Sequence, residues 1–297
     1  RLLRLPAGEW GRYGGQLMCF MTRSGDAGCL MTANSLWIDE GTQIREEYLD
    51  RVSEELYSEV FETDLSTEDA KKAVNQWVDE RTNGMIPELR SEPYSDQVLL
   101  AILNAVYLDA RWEEPFSRNS EVVKTFYGSD GREAETAFLS ERMCWRDYVK
   151  GDGLEGILLP YRDGGLAFLA LRATDGRTPE ELLGALTVQE IRRLASEATN
   201  TCMNFSMPKF ILEYEQELTK TVAALGLDAS LTPGMADFSE MGAGPDGEAM
   251  YISAVNQKVK IQVDEEGTKA AAVTEVTMAG GAAMEDEALE LHLDSPY

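Results

Sequence analysis

The residues able to do chemistry in this chain are few and poorly spaced for it. One histidine is present, His292, so Ser-His-Asp or Cys-His catalysis would have to run through that single imidazole. Zinc motifs built on two histidines are excluded outright. An isolated histidine here reads as structural or solvent-exposed rather than as a general base. The four cysteines, Cys19, Cys29, Cys144 and Cys202, form no C-x-x-C pair and no ligand spacing. They read as ordinary buried thiols without a disulfide framework. Gly242-Ala-Gly-Pro-Asp-Gly247 has the G-x-G-x-x-G form, but Pro245 and Asp246 lie inside it and a strand follows. A turn is therefore expected in place of a dinucleotide site. Asn204-Phe-Ser206 has the form of a glycosylation triplet within a predicted strand, where burial is expected. The 53 acidic residues guarantee chance carboxylate pairs, so counting neither places nor excludes glycoside hydrolysis. No enzyme constellation emerges, and no cofactor or metal is expected.

Charge narrows the partners. With 53 Asp and Glu against 27 Lys and Arg, the net charge of −26 argues against nucleic acid and anionic membrane, which are held mainly by basic side chains. No apolar stretch reaches the roughly 18 residues of a membrane span. The first residues, Arg1 to Pro6, carry basic charge without a sustained apolar run, and there is no initiating Met. The start therefore reads as the middle of a longer gene product.

Interleaved helix and strand signals must position whatever site exists. Ser66-Thr-Glu-Asp69 resembles a capping box, and Ala70, Ala73, Val74, Trp77 and Val78 form an apolar stripe that predicts a helix ending near Asn83-Gly84. Val98 to Leu108 is apolar at both parities and predicts a central strand covered on both faces. Gly156–Tyr161 and Leu166–Leu171, joined by Arg162-Asp-Gly-Gly165, predict a hairpin. Helices are predicted over Pro179–Ala195 and about Gln216–Leu225, and a strand over Tyr251–Val263. The pattern is mixed α+β in one domain. The oddity lies near the end. Read with period two, Thr268, Ala270, Ala272, Thr274, Val276, Met278 and Gly280 make an uncharged side, while Lys269 and Glu275 fall on the other. This strand pattern runs into acidic Glu285-Asp-Glu287, which reads as an exposed loop.

Several blocks, in order, resemble the serpin family of protease inhibitors. Thr32-Ala-Asn-Ser-Leu-Trp37 is similar to the second strand of the family's sheet A, and Val74–Val78 with Thr82–Ile86 to its helix F and exit. Asn104-Ala-Val-Tyr-Leu108 with Trp112 and Phe116 resembles the third strand of sheet A and the turn beyond it. Leu159-Pro-Tyr161, Met207-Pro-Lys-Phe210 and Ala236-Asp-Phe-Ser239 match further blocks, and Val263 to Ala272 resembles the hinge of an inhibitory reactive-centre loop. The resemblance implies one α+β serpin domain over 1–297. It would have a large mixed or antiparallel sheet A, smaller sheets B and C, surrounding helices and an exposed reactive-centre loop over about 265–290. It also implies absent segments at both ends, so the chain is expected to be a fragment that exposes apolar sheet surface when folded alone.

What the resemblance implies about function is suicide inhibition. A serine protease attacks the loop as substrate, and the cut loop enters sheet A before the acyl-enzyme is hydrolysed. The implied hinge is Glu265, Glu266, Gly267, Thr268, Ala270, Ala271 and Ala272, with small side chains able to enter between packed strands and Gly267 allowing reorientation there. The family's spacing from Glu265 places the reactive bond at Gly281-Ala282, with Met278, Ala283 and Met284 as nearby alternatives. No Lys or Arg follows Lys269, so elastase-like or subtilisin-like proteases are the expected targets, with chymotrypsin-like enzymes second. A secreted, monomeric inhibitor is implied. The alternatives are a non-inhibitory serpin acting as carrier, chaperone or storage protein, and more remotely a carboxylate-dependent hydrolase.

Overall fold

In a computed structural model of the chain, the described residues are 9–25, 28–117, 121–162, 164–253, 255–268 and 288–297. In chain order the elements are α1 (Trp10–Met21), β1 (Arg23–Gly25), β2 (Gly28–Ile38), β3 (Gln43–Ile44), α2 (Glu46–Leu56), β4 (Ser58–Glu62), α3 (Glu68–Arg81) and β5 (Leu100–Arg111). There follow β6 (Glu121–Tyr127), β7 (Glu133–Gly151), β8 (Leu154–Pro160), β9 (Ala167–Ala173), α4 (Pro179–Ala185), α5 (Val188–Ser196), β10 (Thr199–Pro208) and β11 (Phe210–Glu217). The last are α6 (Thr219–Val222), β12 (Gly242–Ala243), β13 (Asn256–Val263), β14 (Gly267–Thr268) and β15 (Leu289–His292). A seven-stranded sheet has the order β1-β2-β5-β14-β13-β11, with β4 beside β2; a six-stranded sheet has the order β15-β10-β7-β8-β9, with β6 beside β7. The fold is mixed α+β, as expected.

The chain divides into two compact units, Arg1–Leu108 with Leu212–Lys260 and Asp109–Ile211 with Ile261–Tyr297. In the first, β4 lies parallel to β2, with Trp37 opposite Phe61 and stacked on it. The predicted stripe on α3 buries Ala70, Val74, Trp77 and Val78, and the last three share a core with Trp37, Leu65, Ile86, Ala101 and Ala105. Its cap is one residue later than expected. Thr67 adopts extended backbone, and its Oγ1 accepts the Ala70 N–H, whereas Ser66 turns to Asp64.

Strand β5 corrects the expectation of two covered faces. Ala101, Ala105 and Tyr107 are buried, but Ile102 is 65% and Val106 51% exposed, with Asn104 exposed between them. Alternation of the pleat puts the polar Asn104 among these apolar neighbours.

In the second unit, β8 and β9 pair from Leu154–Ala173 to Pro160–Ala167, forming the predicted hairpin. The helix expected over 179–195 is instead two helices. Leu186 is extended, and Thr187 restarts the chain with its own capping box to Glu190, as Thr178 does with Glu181. Further on, β11 persists to Glu217, so the helix expected from Gln216 begins only at Thr219, and Gly226 at φ +100° breaks the turn that follows α6. The strand expected from Tyr251 starts at Asn256.

No disulfide joins the four cysteines, none of them is fully buried, and Cys19 is exposed. Burial, then the neighbouring Glu141 carboxylate, raises the Cys144 thiol to about 12, which keeps it unreactive. Gly242–Gly247 forms a two-residue strand and a turn closed from Gly247 N–H to Gly244 C=O, as expected. Among the described residues no helix is long and apolar enough to cross a membrane.

Candidate functional site

The best-built feature is the junction where β13 turns into β14, within the second unit. Asp264 makes the turn. Its Oδ1 accepts the N–H groups of Glu266 at 2.9 Å and Gly267 at 3.2 Å, and its own N–H donates to Gly267 C=O at 3.0 Å. Burial raises its carboxyl above the ordinary range despite those two amides, and Glu265 and Glu266 add to the rise. The turn returns the chain so that Thr268 pairs antiparallel with Val263 on one side, while Gly267 and Thr268 pair with Arg111 and Ala110 on the other.

Four residues hold this junction, Trp112, Phe116, Tyr161 and Lys209. The Trp112 backbone N–H donates to Glu266 C=O and its indole Nε1 to Asp264 C=O, both at 2.9 Å, and Phe116 N–H donates to Glu265 C=O at 2.8 Å. Trp112 is 1% exposed, stacked on Tyr161 at 4.8 Å and edge-on to Phe168 at 5.8 Å. The Tyr161 hydroxyl is hydrogen-bonded to Thr268 Oγ1, and burial raises it to about 12, so it stays neutral. Outside this aromatic group, Lys209 Nζ donates to Glu265 Oε1 at 2.8 Å and to Glu121 Oε2 at 2.7 Å.

Gly267 has a steric reason to be glycine. A Cβ there would lie 2.1 Å from Ala110 O and 2.8 Å from Arg111 Cα, inside any allowed contact. Thr268 is buried at 2% and brings no charge into the strands.

The lysine clamp makes a prediction. Burial opposes the Lys209 charge, but the hydrogen bonds to Glu121 and Glu265 outweigh it and hold its pKa above the ordinary value. The bond to Lys209 in turn holds Glu121 below its own. The lysine's contribution is complete below its unfolded pKa and disappears as pH rises through the raised folded one. That of Glu121 is present above the ordinary carboxylate range and disappears as pH falls. Both therefore act at neutral pH. Glu265→Lys puts two ammonium groups together at a partly buried position and should lower stability by about 2 kcal/mol, read as a lower urea midpoint. Glu265→Gln should cost less. Equal midpoints for parent and Glu265→Lys would remove the clamp from the account.

Of the predicted site residues, Glu265, Glu266, Gly267 and Thr268 come together at this junction. Ala270, Ala271, Ala272, Met278, Gly281, Ala282, Ala283 and Met284 lie outside the described residues. Glu285-Asp-Glu287 does as well. His292 is structural in its contacts: Nδ1 meets Ser206 Oγ and Nε2 meets Glu290 Oε2, both at 2.9 Å. Ser206 and Phe205 are buried in β10, and Asn204 donates through its amide to Glu290. Sequence reasoning missed the roles of Asp264, Tyr161 and Lys209. The last two stand in the recognised Leu-Pro-Tyr and Met-Pro-Lys-Phe blocks, but nothing in those blocks says that both reach the hinge.

Comparisons with known proteins agree with this geometry. The serpin (serine protease inhibitor) family model matches residues 13–297. An uncharacterized serpin-like protein of Thermococcus kodakarensis is 31% identical over 293 residues, which is 97% of this chain and 66% of that protein. Plasminogen activator inhibitor 1 of Bos taurus is 28% identical over 275 residues, or 90% of this chain and 67% of the relative. The chain thus spans about two thirds of the length of these relatives. Among solved structures, the thermophilic serpin tengpin in its native state superposes with a TM-score of 0.86 at 26% identity, covering 98% of this chain and 74% of tengpin. A family match over nearly the whole chain, on a fold whose turn at Asp264 leads one strand back between two others, makes the chain a member of the serpin family.

Proposed function

We propose that this serpin is a suicide-substrate inhibitor of serine proteases, and that residues 1–297 belong to a single serpin domain whose reactive-centre loop spans about 265–290. The observation that carries the reading is β14. Two residues, Gly267 and Thr268, already pair with Ala110 and Arg111 on one side and Val263 on the other, leaving the rest of the loop to follow them between β5 and β13. Strand addition of this kind gains ladder hydrogen bonds with every residue inserted.

In the proposed reaction the target's serine Oγ attacks the Gly281 carbonyl, and the bond to Ala282 breaks. The serine's proton leaves with the new Ala282 amine, and an ester joins Gly281 to the protease. Met278, Ala283 and Met284 are alternative positions for the cut. Small residues at Ala270, Ala271 and Ala272 suit passage between strands. They also favour inhibition over the alternative of a carrier, chaperone or storage role. The inhibitor supplies no catalytic histidine because the protease brings its own. Small or Met residues at the bond suit elastase-like and subtilisin-like pockets. The inhibitor is proposed to act outside the cell, as a monomer.

The test is to mix the full-length protein with elastase-, subtilisin-, chymotrypsin- and trypsin-like proteases and look for SDS-stable adducts. Adducts with the first two, and none with the trypsin-like enzyme, are expected. Cleavage without any adduct would move the protein to the non-inhibitory reading.

A further inference from the structure

Within the second unit, Arg146 on β7 is only 8% exposed, an uncommon place for a guanidinium. Its partner on the same strand is Glu141, whose Oε2 accepts from Nη2 at 2.8 Å and from Nε at 3.2 Å. On a regular strand two residues five apart point to opposite faces. A bulge brings these two together. Met203 pairs with Cys144 and Phe205 with Glu141, so β7 carries one residue more than β10 over that stretch. Met143 stands there at φ +52°, and Asn204 Oδ1 accepts its N–H at 3.1 Å.

The other side of the guanidinium faces the turn after β5. Nη1 donates to Glu114 C=O at 2.9 Å and to Glu114 Oε2 at 3.2 Å, and Cζ lies 4.8 Å over the Phe116 ring. That ring is buried and packs on Phe205, with centroids 6.0 Å apart. Arg146 therefore grips the turn twice, by a carbonyl and by a ring. Between those two grips and the hinge there is a single hydrogen bond, from the Phe116 N–H to Glu265 C=O. A flat fork can span a carboxylate and a carbonyl while lying on an aromatic face; the point charge of a lysine cannot.

We infer that Arg146 is a positioning residue for the hinge: by holding Glu114 and Phe116 it sets where the Phe116 N–H meets Glu265, and so where β14 enters the sheet. Its consequence for trapping rests on the inhibitory reading, whereas its effect on the hinge does not.

Removing the arginine alone would leave the mostly buried Glu141 carboxylate unpaired and endanger folding. The test variant is therefore Arg146→Met combined with Glu141→Gln, which removes both charges and keeps the bulk. In the 297-residue chain, amide exchange at Phe116 and Glu265–Thr268 should quicken about tenfold, while amides of β8 and β9 stay within about twofold of the parent. Arg146→Lys keeps the charge beside Glu141 and should loosen the same hinge amides. In the full-length protein, the fraction of an elastase-like protease trapped per inhibitor cleaved should fall about fivefold in the double variant. Parent-like exchange at Phe116 and the hinge in either variant would overturn the inference. So would equal quickening in β8 and β9, which marks a general loss of stability, or loosened hinge amides with parent-like trapping. Absence of adducts from the parent itself would strike the inhibitory reading instead, and the exchange comparison would still decide whether Arg146 sets the hinge.

Discussion

Thr268→Arg should convert the protein from an inhibitor into a substrate: the protease cuts the loop, and the SDS-stable adduct disappears. Thr268 is 2% exposed, hydrogen-bonded to the Tyr161 hydroxyl, and paired on both sides in the sheet. An arginine there must bury its charge among Trp112, Tyr161 and Ala110 or leave the sheet and take the hinge with it. Burying an unpaired charge costs several kcal/mol, about the whole margin of a typical fold, so expulsion is the expected result. The measurement is the fraction of protease trapped per inhibitor cleaved, which should fall at least tenfold. An unchanged fraction would mean that β14 takes no part in trapping. Thr268→Val keeps the size and loses only the hydroxyl. It should retain most trapping and lose about 1 kcal/mol of stability.

Gly267→Val should destabilise the hinge by sterics alone. The steric argument is independent of charge. Any Cβ at this position meets the Ala110 carbonyl oxygen at 2.1 Å, and a β-branched side chain adds two more atoms to that collision. A backbone oxygen in a paired strand has no room to retreat, so β14 must separate from β5. Such overpacking costs about 1–3 kcal/mol or more. The expected signs are a lower urea midpoint and faster amide exchange at Glu265–Thr268 than in the parent. Parent-like exchange at those amides would show that the close approach of Gly267 to Ala110 does not exist in solution.

Much of this was legible from the residues. The stripe on α3 and the hairpin across Arg162–Gly165 are short-range patterns, and both elements formed where the periodicity placed them. Helix restarts were less legible: Thr187-x-x-Glu190 is as good a capping box as Thr178-x-x-Glu181, but an unbroken apolar pattern hid it. The exposed face of β5 is not legible, because Ile102 and Val106 look the same in sequence whether a strand face is covered or wet. The hinge residues 265–268 were found through the family's loop pattern. Their partners Lys209 and Tyr161 stand 56 and 107 residues away along the chain, and no local pattern predicts pairings at that range. In the sequence Gly267 stands as a point of flexibility. The structure adds that it is a point of closest approach.

The two-residue strand β14 also bears on kinetics. Starting a new strand is costly, because a turn must be fixed and a register chosen before many hydrogen bonds form. Here the Asp264 turn is already made and the first pairs are in place, so any further insertion is propagation from an existing nucleus. Its register is inherited as well. Counting by twos from Thr268, the uncharged positions would follow it onto one face, and Lys269 and Glu275 would take the other. The race between strapping a protease down and letting water free it would then be run without a nucleation step.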